Sequence, residues 1–277
     1  MSVDSDKIYK PCVVVNADDF GLNPSVNNAI ADAFKQRLIS STTMITNMPG
    51  FEEACKIAKA NKLQDRIGVH LNLMEGQPLT DGIRVCHRFC NASGFFHGSL
   101  EGRHFNFSPV EREAVITELA TQIAMLEQRG ITPTHMDSHH HFHTSIAFLP
   151  ILIKLARMKS IAAIRLNSNC CEQEIPMFKK AYKFLYNTIL YLFRVAKTDY
   201  FCPIDDVERI CPSLRKGIIE VMVHPTYSEV GILVDAENRY PLTEQLRRLG
   251  QYPMLSYAAL KKSRRPKFLN VEKRMSS

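Results

Sequence analysis

The sequence lacks most features of secreted, disulfide-bonded or membrane-spanning proteins. Its eight cysteines include one adjacent pair, Cys170 and Cys171, but none are spaced as CxxC. The first ten residues, MSVDSDKIYK, are polar and have no apolar segment of the signal-peptide type. The longest apolar stretch, SIAFLPILIKLA at 145–156, contains a proline and a lysine and is too short to cross a bilayer. We therefore expect a cytoplasmic protein with reduced thiols and no membrane segment.

Dinucleotide-binding and repeat patterns are also missing. No GxGxxG motif follows the first predicted strand, so the sequence gives no support to nucleotide-cofactor binding. It contains no internal repeat and no linker, and we expect one domain over residues 1–277. The net charge is +7, and much of the excess lies in a basic tail at about 261–277. Such a tail is usually a solvated end rather than a nucleic-acid or membrane contact, so we expect neither partner.

Strand and helix patterns alternate along the whole chain. The segments predicted as strands are CVVVNA (12–17), STTMIT (41–46), RIGVHLNL (66–73), ITPTHMDS (131–138), IAAIRL (161–166), TDYFCP (198–203) and IIEVMVHP (218–225). Helical spacing of apolar residues occurs at 24–36, 51–62, 109–130, 146–159 and 178–196. This alternation predicts an α/β fold with parallel strands, either a barrel or an open sheet.

Polar residues collect where the predicted strands end, and this favours the barrel. In (β/α) barrels the C-terminal ends of the strands carry the chemistry. We therefore predict a single-domain, distorted, TIM-barrel-like (β/α) barrel. The segment from Gly76 to Phe107 is predicted as a long irregular excursion, and loops of that length are more often functional than accidental.

The motif NADDFG follows the first strand and contains two adjacent carboxylates, Asp18 and Asp19. Adjacent side chains point in different directions as a strand ends, so one aspartate is a candidate metal ligand and the other a candidate base. The alternative is a helix N-cap, formed by Asp19 or Asn23 before Pro24.

The mid-chain segment THMDSHHHFH (134–143) contains five histidines and one aspartate. Its central position argues against a tag and leaves a solvated loop or a site. Two-residue alternation puts His135, Asp137 and His139 on one strand face. Beyond Ser138 the strand is expected to break, so the later histidines need not follow that face.

Two further histidines follow predicted strands: His70 in GVHLNL and His224 in VMVHP. A single histidine on a strand is more often a hydrogen-bonded core residue than a ligand. Aspartates and histidines at four strand ends of one barrel, however, are able to meet at one divalent cation. Two imidazoles and one carboxylate leave coordination positions open, as catalytic metal sites do. Metal-assisted hydrolysis is the reaction class that this equipment favours, with a spare carboxylate as base and a spare histidine as acid.

The motifs NADDFGLNPSVNNAI, GVHLNL, PTHMDSHHHFH, IRL and VMVHP, in this order, resemble the YdjC-like carbohydrate deacetylases, a family that includes the chitooligosaccharide (diacetylchitobiose) deacetylases. The resemblance covers about 13–257, although 84–107 and 169–216 match none of its motifs. It implies a distorted (β/α) barrel, a divalent cation (Mg²⁺ or Zn²⁺) and an N-acetylated sugar substrate, possibly phosphorylated. It also makes a homodimer plausible.

By this resemblance, Asp19, His70 and His139 hold the metal. The general base is Asp18, and His224 is the general acid. The expected reaction removes the acetyl group of a chitooligosaccharide or its phosphate and releases acetate.

Four neighbouring residues receive supporting roles. Asp137 is expected to orient a metal-binding histidine. His135 and His141 are candidate sugar contacts, and the other histidines of the segment are expected to hold the loop or to contact hydroxyls. Arg165 is a candidate ligand for a substrate oxygen or phosphate, or alternatively forms a salt bridge with a barrel carboxylate.

Two other functions remain open. A hydrolase of another bond, such as a phosphoester, is less favoured because two-metal sites usually need more carboxylates than NADD and DS supply. A metal-dependent sugar-binding protein without turnover is the alternative outside enzymes. Asp18→Asn separates the sugar-binding protein from a deacetylase, because a binding protein does not need a base beside the metal.

Overall fold

The computed structural model describes residues 11–98, 106–170, 175–207 and 216–262. Six parallel strands form one curved sheet in the order β4-β3-β2-β1-β6-β5. They are β1 (Cys12–Phe20), β2 (Ser41–Met44), β3 (Ile67–Leu71), β4 (Met136–Ser138), β5 (Tyr200–Pro203) and β6 (Ile218–Val223). A separate antiparallel pair consists of β7 (Pro225–Tyr227) and β8 (Leu233–Asp235).

The helices that begin at Pro24, Phe51, Pro109, Leu149 and Met177 occur where the sequence shows helical spacing, whereas the short helix Asp81–Arg84 lies in the segment predicted to be irregular. In chain order, the helices are α1 (Pro24–Lys35), α2 (Phe51–Ala60), α3 (Asp81–Arg84), α4 (Pro109–Gln128), α5 (Leu149–Met158), α6 (Met177–Leu192), α7 (Leu242–Leu246) and α8 (Tyr257–Lys262). The Asn23 side chain caps α1 by accepting from the Val26 N–H. Helix α4 begins with a reciprocal capping box between Ser108 and Glu111. These caps set the first residues of both helices.

The sheet curls into a barrel whose strand order is sequential around the circumference. Strands β4 and β5 are its two edges, and the segment 161–170 lies between them. Ile164 makes a single parallel bridge to Met136 of β4, while the Asn169 side chain accepts from the Phe201 N–H of β5. The predicted distorted (β/α) barrel is confirmed.

The sequence prediction was wrong about IAAIRL as a full strand. Its backbone bonds are divided between several partners: the Arg165 N–H donates to the Met136 carbonyl, but the Ile164 N–H donates to the Val195 carbonyl near the end of α6. A continuous ladder to one neighbour therefore does not form.

Apolar side chains of the strands and of the inward helix faces fill the core. None of the six cysteines in the described ranges forms a disulfide. Within the same ranges, no helix combines the length and the apolar character needed to cross a bilayer. The basic tail predicted at about 261–277 lies outside the described residues from position 263 onward.

Candidate functional site

An irregularity in β1 separates its two adjacent aspartates. The pairing register with β2 shifts between Ala17 and Phe20, and Asp19 lies in the left-handed region at φ 68°. Left-handed backbone is uncommon for a residue other than glycine and is concentrated at functional sites. As a result, Asp18 and Asp19 face different partners at the C-terminal end of the barrel.

Asp19, His70 and His139 form a compact group with metal-ligand chemistry. The Oδ1 atom of Asp19 lies 3.3 Å from His70 Nε2 and 2.9 Å from His139 Nδ1. One ligand atom from each residue lies within 4.8 Å of the others. This Oδ1 is buried and accepts no correctly aligned hydrogen bond among the described residues. A cation between the three groups would satisfy that oxygen, so the residues present fit a divalent metal.

The outer nitrogen of His70 has carboxylate and hydroxyl partners. Its Nδ1 lies 2.7 Å from Asp137 Oδ1 and 3.2 Å from the Thr43 hydroxyl. Burial lowers the pKa of His70, but Asp137, Asp19 and Asp18 raise it to about 10. The same concentration of negative charge attracts a cation. A carboxylate behind a metal-binding histidine fixes its tautomer and ring orientation.

Asp18 faces Arg165 in a paired ion contact. Arg165 Nη1 donates to Asp18 Oδ2 at 2.6 Å, and Nη2 donates to Oδ1 at 2.7 Å. The Asn16 amide also donates to Oδ1, at 2.9 Å. Burial alone would raise the pKa of Asp18, but the adjacent guanidinium holds it below its usual range. Asp18 is therefore ionised and fixed at both oxygens.

Arg165 also contacts Asp137 and Glu220, each at 2.7 Å, and its side chain is 0% exposed. Of the two roles that the sequence left open, the structure shows the salt bridge. The other prediction, that Arg165 binds a substrate oxygen or phosphate, is corrected, because its donors face three barrel carboxylates and not the surface.

His224 follows β6 and lies on the Asp18 side of the site. Its charge is close enough to affect the pKa of Asp18. Its Nδ1 is 3.5 Å from Glu237 Oε1, and its side chain is 18% exposed. The His224 N–H donates to Asp235 Oδ2 at 2.7 Å, which fixes the backbone where β6 leads into β7. This places a partly exposed histidine beside an ionised carboxylate.

Comparison with known proteins identifies a family. Residues 12–264 match the family described as YdjC-like protein. The chain belongs to this family. The resemblance identified in the sequence is therefore confirmed at the level of the family.

Several relatives of this YdjC-like protein are named carbohydrate deacetylase. The Vibrio parahaemolyticus protein is 32% identical over 84% of this chain and 85% of its own length. The Halalkalibacterium halodurans protein is 39% identical, but the match spans 52% of this chain and 60% of that protein. A crystal structure of a proposed cellobiose-phosphate cleavage protein from Enterococcus faecalis superposes with a TM-score of 0.69. It is 23% identical and covers 91% of this chain and 98% of its own, a likeness that shows the fold.

His135 is the second predicted sugar contact that the structure corrects. Its Nε2 lies 3.0 Å from Asn16 Oδ1, its Nδ1 lies 2.8 Å from the Thr134 hydroxyl, and its ring stacks on Tyr257 at 3.7 Å. It immediately precedes β4 and faces the same side as Asp137, but two residues along an extended chain put it about 6–7 Å deeper. His135 is a packed core residue.

The remaining histidines follow a left-handed turn at His140 and His141, with φ values of 52° and 53°. Burial and the Arg165 guanidinium lower the pKa of His141 to about 4, and its buried Nδ1 has no hydrogen-bond partner among the described residues. A sugar contact at His141 stays a prediction. His143 holds the turn, because its Nδ1 lies 2.8 Å from the Ser138 hydroxyl.

Sequence reasoning missed three polar residues that support the site: Asn16, Thr43 and Glu220. Each lies inside a strand pattern that is otherwise suited to burial. Glu220 had a legible signal, since a carboxylate in the middle of IIEVMV needs a buried cationic partner. Thr43 donates to Asp137 at 3.0 Å, but nothing in STTMIT distinguishes it from its neighbours.

Proposed function

We propose that this YdjC-like protein is a metal-dependent carbohydrate N-deacetylase, which hydrolyses the acetamide of an N-acetylated sugar to acetate and a free amine. One observation carries the proposal: the group of Asp19, His70 and His139 lies beside an ionised Asp18 that Arg165 holds in place. The relatives named carbohydrate deacetylase support the same reaction.

In this proposal, Asp19, His70 and His139 hold a divalent cation. A cation bound there supplies Lewis acidity to the acetamide carbonyl and to a neighbouring water. Two imidazoles and one carboxylate suit Zn²⁺ by ligand type, whereas family resemblance admits Mg²⁺ equally. Adding back each metal to chelator-treated protein distinguishes Zn²⁺ from Mg²⁺.

Asp18 acts as the general base and accepts a proton from the attacking water. Asn16 and Arg165 fix its two oxygens, so little reorientation is needed during the reaction. Arg165 keeps Asp18 ionised, while Asp137 and Glu220 share the positive charge of the guanidinium. The base is therefore oriented without being fully neutralised.

His224 acts as the general acid and protonates the departing amine. Glu237, 3.5 Å from Nδ1, is placed to orient the ring and to leave Nε2 as the donor. Asp18 and His224 thus carry opposite proton transfers in one site.

The substrate proposed from the family resemblance is a chitooligosaccharide or its phosphate. We would measure acetate release from N,N′-diacetylchitobiose and from its 6-phosphate, with and without EDTA, and then add back Zn²⁺ or Mg²⁺. Acetate should disappear with the chelator and return with one metal. Absence of acetate with every metal and both sugars, while metal still binds, would contradict this substrate assignment.

Asp18→Asn provides the mechanistic test. Loss of the base should reduce turnover by at least 100-fold while metal binding is retained. The matched control is Asp32→Asn, because Asp32 lies on α1 and contacts Tyr227. Turnover by Asp18→Asn within a few-fold of wild type would refute the base assignment.

A further inference from the structure

The second ring nitrogen of His139 identifies a residue that the proposed mechanism does not use. Nδ1 faces Asp19, whereas Nε2 is buried and makes no hydrogen bond within the described ranges. Glu75 Oε1 lies 3.6 Å from this Nε2, slightly beyond hydrogen-bond distance. The buried Nε2 of His139 therefore faces a carboxylate oxygen that lies less than 1 Å beyond hydrogen-bond distance.

The two histidines of the metal group have comparable surroundings. His70 presents Nε2 to Asp19 and has Asp137 behind its Nδ1. His139 presents Nδ1 to Asp19 and has Glu75 beyond its Nε2. A histidine that binds metal through one nitrogen usually donates its other N–H to a carboxylate, a carbonyl or water. Glu75 is the carboxylate in that position for His139.

The backbone at Glu75 is held by two side-chain amide groups. The Asn72 side chain accepts from the Glu75 N–H at 3.1 Å and donates to the Glu75 carbonyl at 2.9 Å. Asn47 donates to the same carbonyl at 3.1 Å. Asn72 is itself fully buried and is bonded through its backbone to Gln122 of α4. The main chain is thus fixed, while the Glu75 side chain is 47% exposed.

His140 also approaches the Glu75 carboxylate. Its Nε2 is 3.4 Å from the same Oε1, and its ring lies edge-on to that of His139 with centroids 4.4 Å apart. Glu75 Oε1 therefore faces the Nε2 atoms of both histidines, and a side-chain movement of less than 1 Å brings it into hydrogen-bond contact with His139.

We propose that Glu75 is a positioning residue of the metal centre: it accepts the Nε2–H of His139 and so fixes Nδ1 as the ligand nitrogen. This inference rests on the proposed function, because it needs a metal at Asp19, His70 and His139. Glu75 does not contact the metal or the reacting atoms; it acts through the orientation of His139.

The test is metal affinity in the absence of sugar, measured by competition with a chelator for Zn²⁺ and Co²⁺. We expect Glu75→Ala to weaken binding about 10–100-fold, as loss of comparable partners does elsewhere. Glu75→Gln should weaken it less, because the amide oxygen still accepts a hydrogen bond. Glu229→Gln, at an exposed position, is the control and should bind as wild type.

A spectroscopic measurement separates positioning from a general structural effect. In ¹⁵N-histidine-labelled, metal-loaded protein, Glu75→Ala should shift the Nε2–H resonance of His139 and leave the Nδ1–H resonance of His70 in place. Wild-type affinity and an unshifted His139 signal in Glu75→Ala would overturn the inference while the proposed function stands. Failure of the wild-type chain to bind either metal would overturn both.

Discussion

Gly68 in β3 shows how closely the strands approach below the site. A Cβ atom there would lie 2.6 Å from the His135 ring and 2.7 Å from the His135 carbonyl. Gly68→Ala should lower the free energy of unfolding by about 1–3 kcal/mol, because the His135 ring and carbonyl are buried and unable to move away. Urea denaturation measures the change. Gly250→Ala is the control, since nothing lies within 4 Å of its Cβ position, and equal effects of both substitutions would contradict the packing argument.

Asp199 should make stability depend on pH. Burial raises its pKa to about 6, and its Oδ1 has no hydrogen-bond partner among the described residues. Because the folded state then binds this proton more tightly than the unfolded chain, the free energy of unfolding should rise as pH falls from about 6 to about 4. Above pH 6 the buried Asp199 carboxylate is ionised, and the full cost of burying its charge lowers the free energy of unfolding.

Asp199→Asn should remove this pH dependence and stabilise the protein at pH 7 by on the order of 1–3 kcal/mol. Chemical denaturation at a series of pH values measures both effects. The exposed Asp65→Asn serves as the comparison. A pH profile that is unchanged in Asp199→Asn would show that another group is responsible.

The sequence predicted which residues lie together at the site. It predicted less well how deep in the barrel each side chain lies. Asp18, Asp19, His70, His139 and His224 could be located because strand ends meet at one edge of a barrel. Alternation along a strand gives the face of a side chain but not its depth, so His135 was placed with the site although it belongs to the core.

At the scale of elements, helix α4 anchors the loop that carries Glu75. Its buried Glu118 accepts from the N–H groups of Leu79 and Thr80, at 3.0 and 2.9 Å, and from the Thr80 hydroxyl at 2.7 Å. Gln122 donates to Glu118 at 2.9 Å. The irregular loop thus takes its hydrogen-bond partners from a buried carboxylate and a buried amide of α4, where a regular segment would pair with a strand.

Glu118→Leu should leave these donors unpaired and lower the free energy of unfolding by about 2–4 kcal/mol. It should also increase amide hydrogen exchange at 72–80. Glu113→Gln, on the exposed side of the same helix, is the control. Unchanged exchange in this loop would exclude Glu118 as its anchor.

Helices and central strands were predictable because their apolar periodicity is long. The segment 161–166 has a strand composition but no single partner strand, and composition does not report hydrogen-bond partners. The β7–β8 pair was also missed, because its strands contain three residues each. Such short strands have little pattern to detect.

At the scale of the whole molecule, Arg165 joins three parts of the barrel. It contacts Asp18 of β1, Asp137 of β4 and Glu220 of β6, and all four side chains are almost fully buried. Arg165→Met should lower the free energy of unfolding by about 3–5 kcal/mol, because it leaves buried carboxylates without a counter-charge.

Arg165→Lys tests geometry against charge. Lysine keeps the positive charge but lacks the planar group that bonds several carboxylates at once, so it should recover only part of the loss. Thermal and urea unfolding measure both variants, with Arg112→Met as the exposed control. Full stability in Arg165→Lys would show that charge alone is sufficient.

The residues of the site are synthesised in two groups, because of their order along the chain. Every proposed metal ligand, from Asp19 to His139, lies in the first 139 residues, whereas Arg165, Glu220 and His224 are synthesised later. A ribosome adds roughly 5–20 residues per second, so these ligands emerge seconds before the arginine that pairs with Asp18. During that interval Asp18 lacks its counter-ion. The growing chain thus contains all three proposed cation ligands before it contains the arginine that pairs with the proposed base.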